Sequence, residues 1–328
     1  MKYILYIVIP CYNEQEVLQE AAAQIKVKLD NLMKSGKISE KSRIVFVNDG
    51  SIDNTWNIIR NLRENNNIFT GINLSTNQGH QNALLAGMLT VKELADFVIT
   101  MDADLQDDIG AIEKMTDKYL EGCDIVYGVR SSRERDSFFK RFTAEAFYKL
   151  MKFLDANTIY NHADYRLMSR RAIEGLSEFK EVTLFLRGIV PMIGYRTGIV
   201  TYERNERFAG ESKYPLKKMI SFAWDGITSI SIKPIRLIST LGILIFSFSI
   251  IMLIYILVRY FTGETVVGWA SLTVSLWAIG GLILLSLGII GEYIGKIFLE
   301  TKQRPRYFIE SFLDEEVCTE KKEIKKIF

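Results

Sequence analysis

Residues 97–106 read Phe97-Val98-Ile99-Thr100-Met101-Asp102-Ala103-Asp104-Leu105-Gln106. An apolar run of strand length passes directly into a polar stretch in which every second residue carries a side-chain oxygen. Such a run, bounded by polar residues, predicts a buried strand. Alternate residues of an extended segment point the same way. Asp102, Asp104 and Gln106 can therefore offer oxygens to one hard cation. Mg²⁺ or Mn²⁺ suits such a set, with phosphate oxygens of a substrate completing the shell. An Asp-x-Asp alone is common by chance; its place at the end of a strand is what gives it weight.

Similar apolar runs occur at residues 3–9, 43–48, 69–74 and 125–127. Helical patterns lie between them, at 15–33, 55–63, 81–89 and 112–120. This alternation predicts an α/β domain over residues 1–214, with a mostly parallel sheet covered by helices on both faces. Ligands of such sheets bind at the carboxyl ends of the strands. The unusual polar residues sit there: Pro10-Cys11-Tyr12-Asn13-Glu14 after the first run and Asp49-Gly50-Ser51 after the second. Asp49 can accept a hydrogen bond from a nucleobase, with Tyr12 as an apolar wall and Glu14 as a further acceptor. Helix capping explains Ser51 and Asp53 equally well, and Asp49 poorly. Neither a Gly-x-Gly-x-x-Gly fingerprint nor a Walker-type loop is present, which demotes dinucleotide oxidoreductases and P-loop hydrolases.

Among the 328 residues, 41 Lys and Arg oppose 39 Asp and Glu, so no basic excess points to nucleic acid. Cys11, Cys123 and Cys318 are too scattered for a disulfide framework or a zinc cluster, which suits a reducing compartment. The run at 3–9 is followed by Pro10 and no cleavage site, so it predicts a strand and not a signal peptide.

Residues 237–258 and 268–291 carry no charge. Each exceeds the roughly 20 residues needed to cross a hydrocarbon core of about 30 Å. Lys233 and Arg236 precede the first run; Lys296, Lys302, Arg304 and Arg306 follow the second. Basic flanks stay cytoplasmic. The expectation is a two-helix hairpin over 234–293 in the plasma membrane, with the large domain and a charged tail (294–328) both in the cytoplasm. Between domain and hairpin, Ile220, Ala223, Trp224, Ile227 and Ile230 recur at helical spacing. They predict an amphipathic helix over 215–233 lying in the membrane interface.

Taken together, the chain resembles the inverting family 2 glycosyltransferases with the GT-A fold. Within them it looks like the polyprenyl-phosphate sugar transferases, that is, dolichol-phosphate mannose synthases and bacterial undecaprenyl-phosphate glucosyltransferases. The likeness runs to about Phe312. It rests on residues 9–14, 47–55, 77–80 and 101–107, then on Gly128-Val129-Arg130, Ala163-Asp164-Tyr165-Arg166-Leu167-Met168 and Arg207-Phe208-Ala209-Gly210-Glu211-Ser212-Lys213-Tyr214. The two apolar runs match the bacterial glucosyltransferase branch better.

The resemblance implies roles. Pro10, Tyr12, Glu14, Asp49, Asp102 and Ala103 would hold a nucleotide-sugar, UDP-glucose in first place, with UDP-GlcNAc, UDP-galactose and GDP-mannose open. Asp102, Asp104 and Gln106 would hold Mg²⁺ or Mn²⁺. Arg130, Arg166, Arg207 and Lys213 would surround donor and acceptor phosphates. Asp164 would be the catalytic carboxylate, as a base or as a group that orients the acceptor. The acceptor would be polyprenyl phosphate in the bilayer, and the lipid-linked sugar would serve cell-envelope glycosylation. A separate flippase and an extracellular transferase would handle the product. Gly280-Gly281 and Gly288 would allow helix association in a homo-oligomer. Two other readings are weaker. A processive polysaccharide synthase would need a Gln-x-x-Arg-Trp signature, which is absent. A non-catalytic membrane scaffold would not be expected to keep Asp102, Asp104, Gln106 and Asp164 intact.

Overall fold

A computed structural model describes residues 2–131, 162–181, 185–203, 233–262 and 268–313. Arg207, Lys213, the expected amphipathic helix up to Ile232 and the chain after Leu313 lie outside the described residues. Two compact units are present.

The first unit is built on an eight-stranded sheet. Its strands are β1 (Leu5–Cys11), β2 (Arg43–Asn48), β3 (Phe69–Leu74), β4 (Phe97–Thr100), β5 (Ile125–Arg130), β6 (His162–Ser169), β7 (Thr197–Tyr202) and β8 (Ile309–Phe312). The order is β7-β5-β6-β4-β1-β2-β3-β8. The pairs β1–β2, β1–β4, β2–β3 and β5–β7 are parallel, whereas β6 runs antiparallel to both its neighbours and β8 runs antiparallel to β3. The expected mostly parallel sheet is therefore present, with two reversed strands.

Helices α1 (Leu18–Lys34), α2 (Thr55–Asn65) and α4 (Ala111–Leu120) cover one face; α3 (His80–Val91), α5 (Arg170–Ser177) and α6 (Leu186–Met192) cover the other. The sequence dictates this division. Leu5, Ile7 and Ile9 of β1 enter the first core and Tyr6 and Val8 the second, as period-two side chains must. Every residue of β1 is buried, as befits a parallel strand covered twice. On α1, Leu18, Ala21, Ala22, Ile25, Leu29 and Leu32 form the buried stripe; each large aliphatic among them contributes about 1.5–3 kcal/mol by burial.

The charged tail expected from residue 294 is helical to Thr301, and Ile309–Phe312 then joins the sheet. The β8 backbone is held beyond its last residue: the Leu313 amide donates to the Gly71 carbonyl at 2.8 Å and its carbonyl accepts from Thr70 Oγ1 at 2.7 Å.

The second unit holds α7 (Lys233–Phe261) and α8 (Trp269–Thr301), which contact each other. Among the described residues, Ile279–Thr301 is the one stretch long and apolar enough to cross a membrane by length and composition.

Candidate active site

The chain places β2 and β3 on one side of β1 and β4 on the other. Strand order therefore switches between β1 and β4, and ligands of open α/β sheets bind in the crevice at such a switch. The loops that leave β1 and β4 are those the sequence singled out.

After β1, Asn13 adopts a left-handed φ of 54°, which Asn tolerates well. This turn brings the loop onto the one after β2. The Asn13 amide donates to Ser51 Oγ (3.0 Å), the Glu14 amide to Thr55 Oγ1 (2.9 Å) and the Ile52 amide to Asn13 Oδ1 (3.0 Å). Ser51 thus bonds across to the neighbouring loop instead of capping α2. Pro10 is buried, Glu14 half-buried and Tyr12 exposed at this edge.

Asp49 is buried. Its two oxygens accept the backbone amides of Gln78 (2.7 Å) and Gly79 (2.9 Å). Burial pushes its carboxyl up, and the two amides pull against that shift. Asp49 therefore fixes the loop that leads into α3, a task not legible in its motif. Gly50 serves the same approach. Its φ is +64°, and a Cβ there would lie 2.5 Å from the Asn77 nitrogen, so only glycine fits.

After β4, burial alternates. Met101, Ala103, Leu105 and Asp107 are buried, while Asp102, Asp104, Gln106 and Asp108 are half-buried. The less buried side of this segment thus carries side-chain oxygens, and the segment turns at Leu105, which takes a strained φ of 56°. Strain of this kind costs about 1–3 kcal/mol and persists where the surroundings impose it. The donor set is all oxygen, which fits a hard cation. Among the described residues no group of three His, Cys, Asp or Glu forms a metal cage.

On β6, Asp164 receives two guanidinium groups. Arg166 Nη2 donates to Oδ1 at 2.5 Å; Arg187, from α6, donates through Nε to Oδ1 (3.3 Å) and through Nη2 to Oδ2 (3.1 Å). Against the upward push of burial, Arg187, Arg166 and His80 hold the Asp164 carboxyl far below the usual carboxylate range. Arg166 also donates to the Leu186 carbonyl at 3.3 Å. Its side chain is 2% exposed, so it stands behind Asp164 as that carboxylate's inner partner.

His80, at the start of α3, bridges the two acidic groups. Its Nε2 is 3.5 Å from Asp102 Oδ1 and 3.7 Å from Asp164 Oδ2. Arg130 ends β5 with a nitrogen 3.9 Å from Asp107 Oδ1, and the Tyr202 hydroxyl donates to the same oxygen at 2.5 Å. Burial and the charge of Asp102 push Asp107 up to about 6.

Sequence reading singled out Asp102, Asp104, Gln106, Arg130 and Asp164, and all five lie at one end of the sheet. It gave no role to His80 and did not single out Arg187. The available signal for Arg187 was a lone charge inside the apolar stretch Phe185-Leu186-Arg187-Gly188-Ile189-Val190.

The sequence profile of glycosyl transferase family 2 matches residues 6–176, the span that carries both Asp102 and Asp164. An uncharacterized glycosyltransferase of Bacillus subtilis (strain 168), YkoT, is 53% identical over 307 residues, 94% of this chain and 91% of that one. The bactoprenol glucosyl transferase of Shigella phage SfX is 38% identical over 307 residues, covering 93% of this chain and 98% of its own. A prophage bactoprenol glucosyl transferase homolog of Escherichia coli (strain K12) is 37% identical over 305 residues, covering 92% and 97%. With its sheet, its acidic β4 exit and more than half of its residues matched by that profile, the chain belongs to glycosyl transferase family 2.

Proposed function

We propose that this glycosyltransferase moves a single sugar, glucose in first place, from a UDP-sugar to undecaprenyl or another polyprenyl phosphate, with inversion at the anomeric carbon. One observation carries the reading. The phage SfX relative is matched over more than nine-tenths of both chains, so the likeness includes the apolar C-terminal third as well as the catalytic unit. The reading further takes both long helices as membrane spans, with the catalytic unit cytoplasmic, and the product as a lipid-linked sugar for envelope glycosylation. Homo-oligomers, a flippase and an extracellular transferase belong to the same reading.

In this mechanism an acceptor phosphate oxygen forms the new bond to the anomeric carbon. The bond from that carbon to the donor diphosphate breaks, and UDP leaves with the electron pair. A phosphate monoester has a second pKa near 6, so at pH 7 much of the acceptor is a dianion and needs no base. Asp164 accordingly stays ionised between its arginines and orients them. Arg130 meets phosphate charge, for which a guanidinium is suited by geometry. Pro10, Tyr12, Glu14 and Asp49 shape the nucleotide end. Asp102, Asp104 and Gln106 would hold Mg²⁺ or Mn²⁺, which when bound offsets the charge of the leaving diphosphate.

The test is to incubate purified protein with undecaprenyl phosphate, Mg²⁺ or Mn²⁺ and a panel of radiolabelled UDP- and GDP-sugars. Label should enter the organic phase from one donor and be lost with chelator or in Asp104→Ala. Folded protein that transfers no label from any donor would sink the lipid-acceptor reading.

A further inference from the structure

Cys11, Asn48 and Asn73 are register partners in one row across the carboxyl ends of β1, β2 and β3. The two asparagines bond to each other: Asn48 Nδ2 donates to Asn73 Oδ1 at 2.6 Å. Asn48 is 3% exposed, and an amide so buried needs partners for its oxygen and its nitrogen. Its oxygen accepts the Ser51 backbone amide at 3.3 Å. Ser51 Oγ in turn accepts the Asn13 amide at 3.0 Å, and Asn13 Oδ1 accepts the Ile52 amide at 3.0 Å. The two loops that leave β1 and β2 are thereby tied to Asn48. Sheet cohesion asks for no amides here, since the preceding row pairs Val47 with Ile72.

On its far side Asn73 Nδ2 donates to Glu310 Oε2 at 2.6 Å. Glu310 belongs to β8 and reaches Asn73 through an irregularity of register. Ile72 faces Phe312 and Asn73 faces Ser311, but Leu74 faces Ile309. Glu310 is therefore the extra residue of a β-bulge. In a regular strand its side chain would point away from the face that Asn73 and Ser311 share. A bulge re-aims a side chain, and bulges are common next to active sites. The same strand touches the loop before α3, where the Phe308 carbonyl accepts the Ser75 amide at 3.0 Å.

This row of bonds has one sense. A side-chain amide can face either way, and its neighbours decide which. An ionised carboxylate only accepts, and a backbone N–H only donates. Glu310 takes the Asn73 nitrogen, which leaves the Asn73 oxygen for Asn48 and turns the Asn48 oxygen to Ser51. The two ends thus demand the same orientation of both amides.

We propose that Asn48, Asn73 and Glu310 are positioning residues for the nucleotide end of the site, a hydrogen-bonded brace through which β8 sets the Ser51 and Asn13 loops. The inference deepens the transferase reading and rests on its premise that these loops hold the nucleotide.

Full-length wild type, Asn73→Leu, Glu310→Lys and Glu310→Gln would be titrated calorimetrically with UDP in Mg²⁺. Amide hydrogen exchange would be followed in peptides covering residues 12–16 and 49–55. Asn73→Leu strands the Asn48 nitrogen. Glu310→Lys offers only donors and draws the Asn73 oxygen away from Asn48. Each should weaken UDP binding by about 3- to 10-fold, the weight of one hydrogen bond, and speed exchange in both peptides. Glu310→Gln keeps an acceptor and should recover most of what Glu310→Lys loses. A bulk charge effect predicts the reverse order, because Glu310→Lys would then attract an anion more strongly. In transfer assays the donor KM should rise while kcat at saturating donor holds. If Asn73→Leu does not fold, the two Glu310 variants decide, because that side chain is exposed. The proposal is overturned if UDP affinity and exchange in both peptides stay within about twofold of wild type, if Glu310→Lys binds UDP more tightly than Glu310→Gln, or if wild type binds no UDP. Wild type that binds UDP yet transfers no sugar to undecaprenyl phosphate would defeat the transferase reading and leave the brace standing.

Discussion

Asp164 shows what an ionisable side chain does once both its neighbours are arginines. A general base must accept a proton near working pH, and so needs a pKa close to it. The Asp164 carboxyl is held far below that range, so it is a poor proton acceptor and a good anchor. Replacing it should expose its structural share. In Asp164→Asn the buried Arg166 loses its carboxylate, and breaking a buried pair from one side costs about 3–5 kcal/mol. The pH dependence follows from the direction of the shift. A carboxyl depressed in the folded state stabilises above its unfolded pKa of about 3.9 and loses that contribution only as pH falls toward the folded value. The stability gap between wild type and Asp164→Asn should therefore be flat from pH 8 to 5 and narrow below about pH 4. Urea unfolding followed by tryptophan fluorescence would show it. A gap that closes already between pH 7 and 5 would mean that Asp164 titrates there and could act as a base.

At the scale of elements, the strands and helices the sequence showed most clearly were those with one continuous apolar signal. β2 and β3 were read to the residue, and α1 to α4 within a few residues, because apolar runs end in Asn, Asp, Ser or Gly. β6 escaped because its pattern is interrupted: Asp164 and Arg166 sit inside it, and an internal ion pair reads as a loop in sequence. β7 is an edge strand with alternate residues exposed, and β8 has four residues beside a charged tail. The site was legible where it lies at strand ends and illegible where α6 delivers Arg187 from a distant segment. Packing between elements was equally hidden. Gly87 of α3 lies against the sheet so closely that a Cβ would come 2.4 Å from Val8 Cγ1 and 2.8 Å from Val47 Cγ2. Both valines are fully buried in β1 and β2 and cannot swing aside. Gly87→Ala should raise helix propensity by about 1 kcal/mol and yet destabilise, because overpacking costs about 1–3 kcal/mol. A lowered unfolding midpoint would confirm that α3 is seated by contact; an unchanged or raised one would mean that helix and sheet can part at no cost.

Across the whole molecule the two units treat apolar side chains in opposite ways. The first buries them on both faces of its sheet. The second turns them outward: Ile243, Leu244, Phe248, Ile251 and Ile254 on α7, and Leu272, Leu276, Ile283 and Leu284 on α8, are all exposed. Soluble monomers seldom expose contiguous apolar area beyond a few hundred Å². Helix hydroxyls also satisfy themselves within their own helix, Ser247 on the Ile243 carbonyl at 2.9 Å and Ser286 on the Leu282 carbonyl at 2.8 Å. That is the behaviour expected where no water is available. At 33 residues and about 1.5 Å per residue, α8 is longer than a hydrocarbon core is thick. On the proposed reading of α8 as a membrane span, Leu284, 71% exposed within the apolar stretch Ile279–Thr301, faces lipid. A charge there should cost about 2.5–3.5 kcal/mol on insertion. Leu284→Arg should move a substantial share of the protein out of the alkali-resistant membrane fraction. Val27→Arg, at a residue 60% exposed on α1, should not, since that side chain already faces water. Equal partitioning of both variants with wild type would mean that the outward face of α8 is covered by protein rather than by lipid.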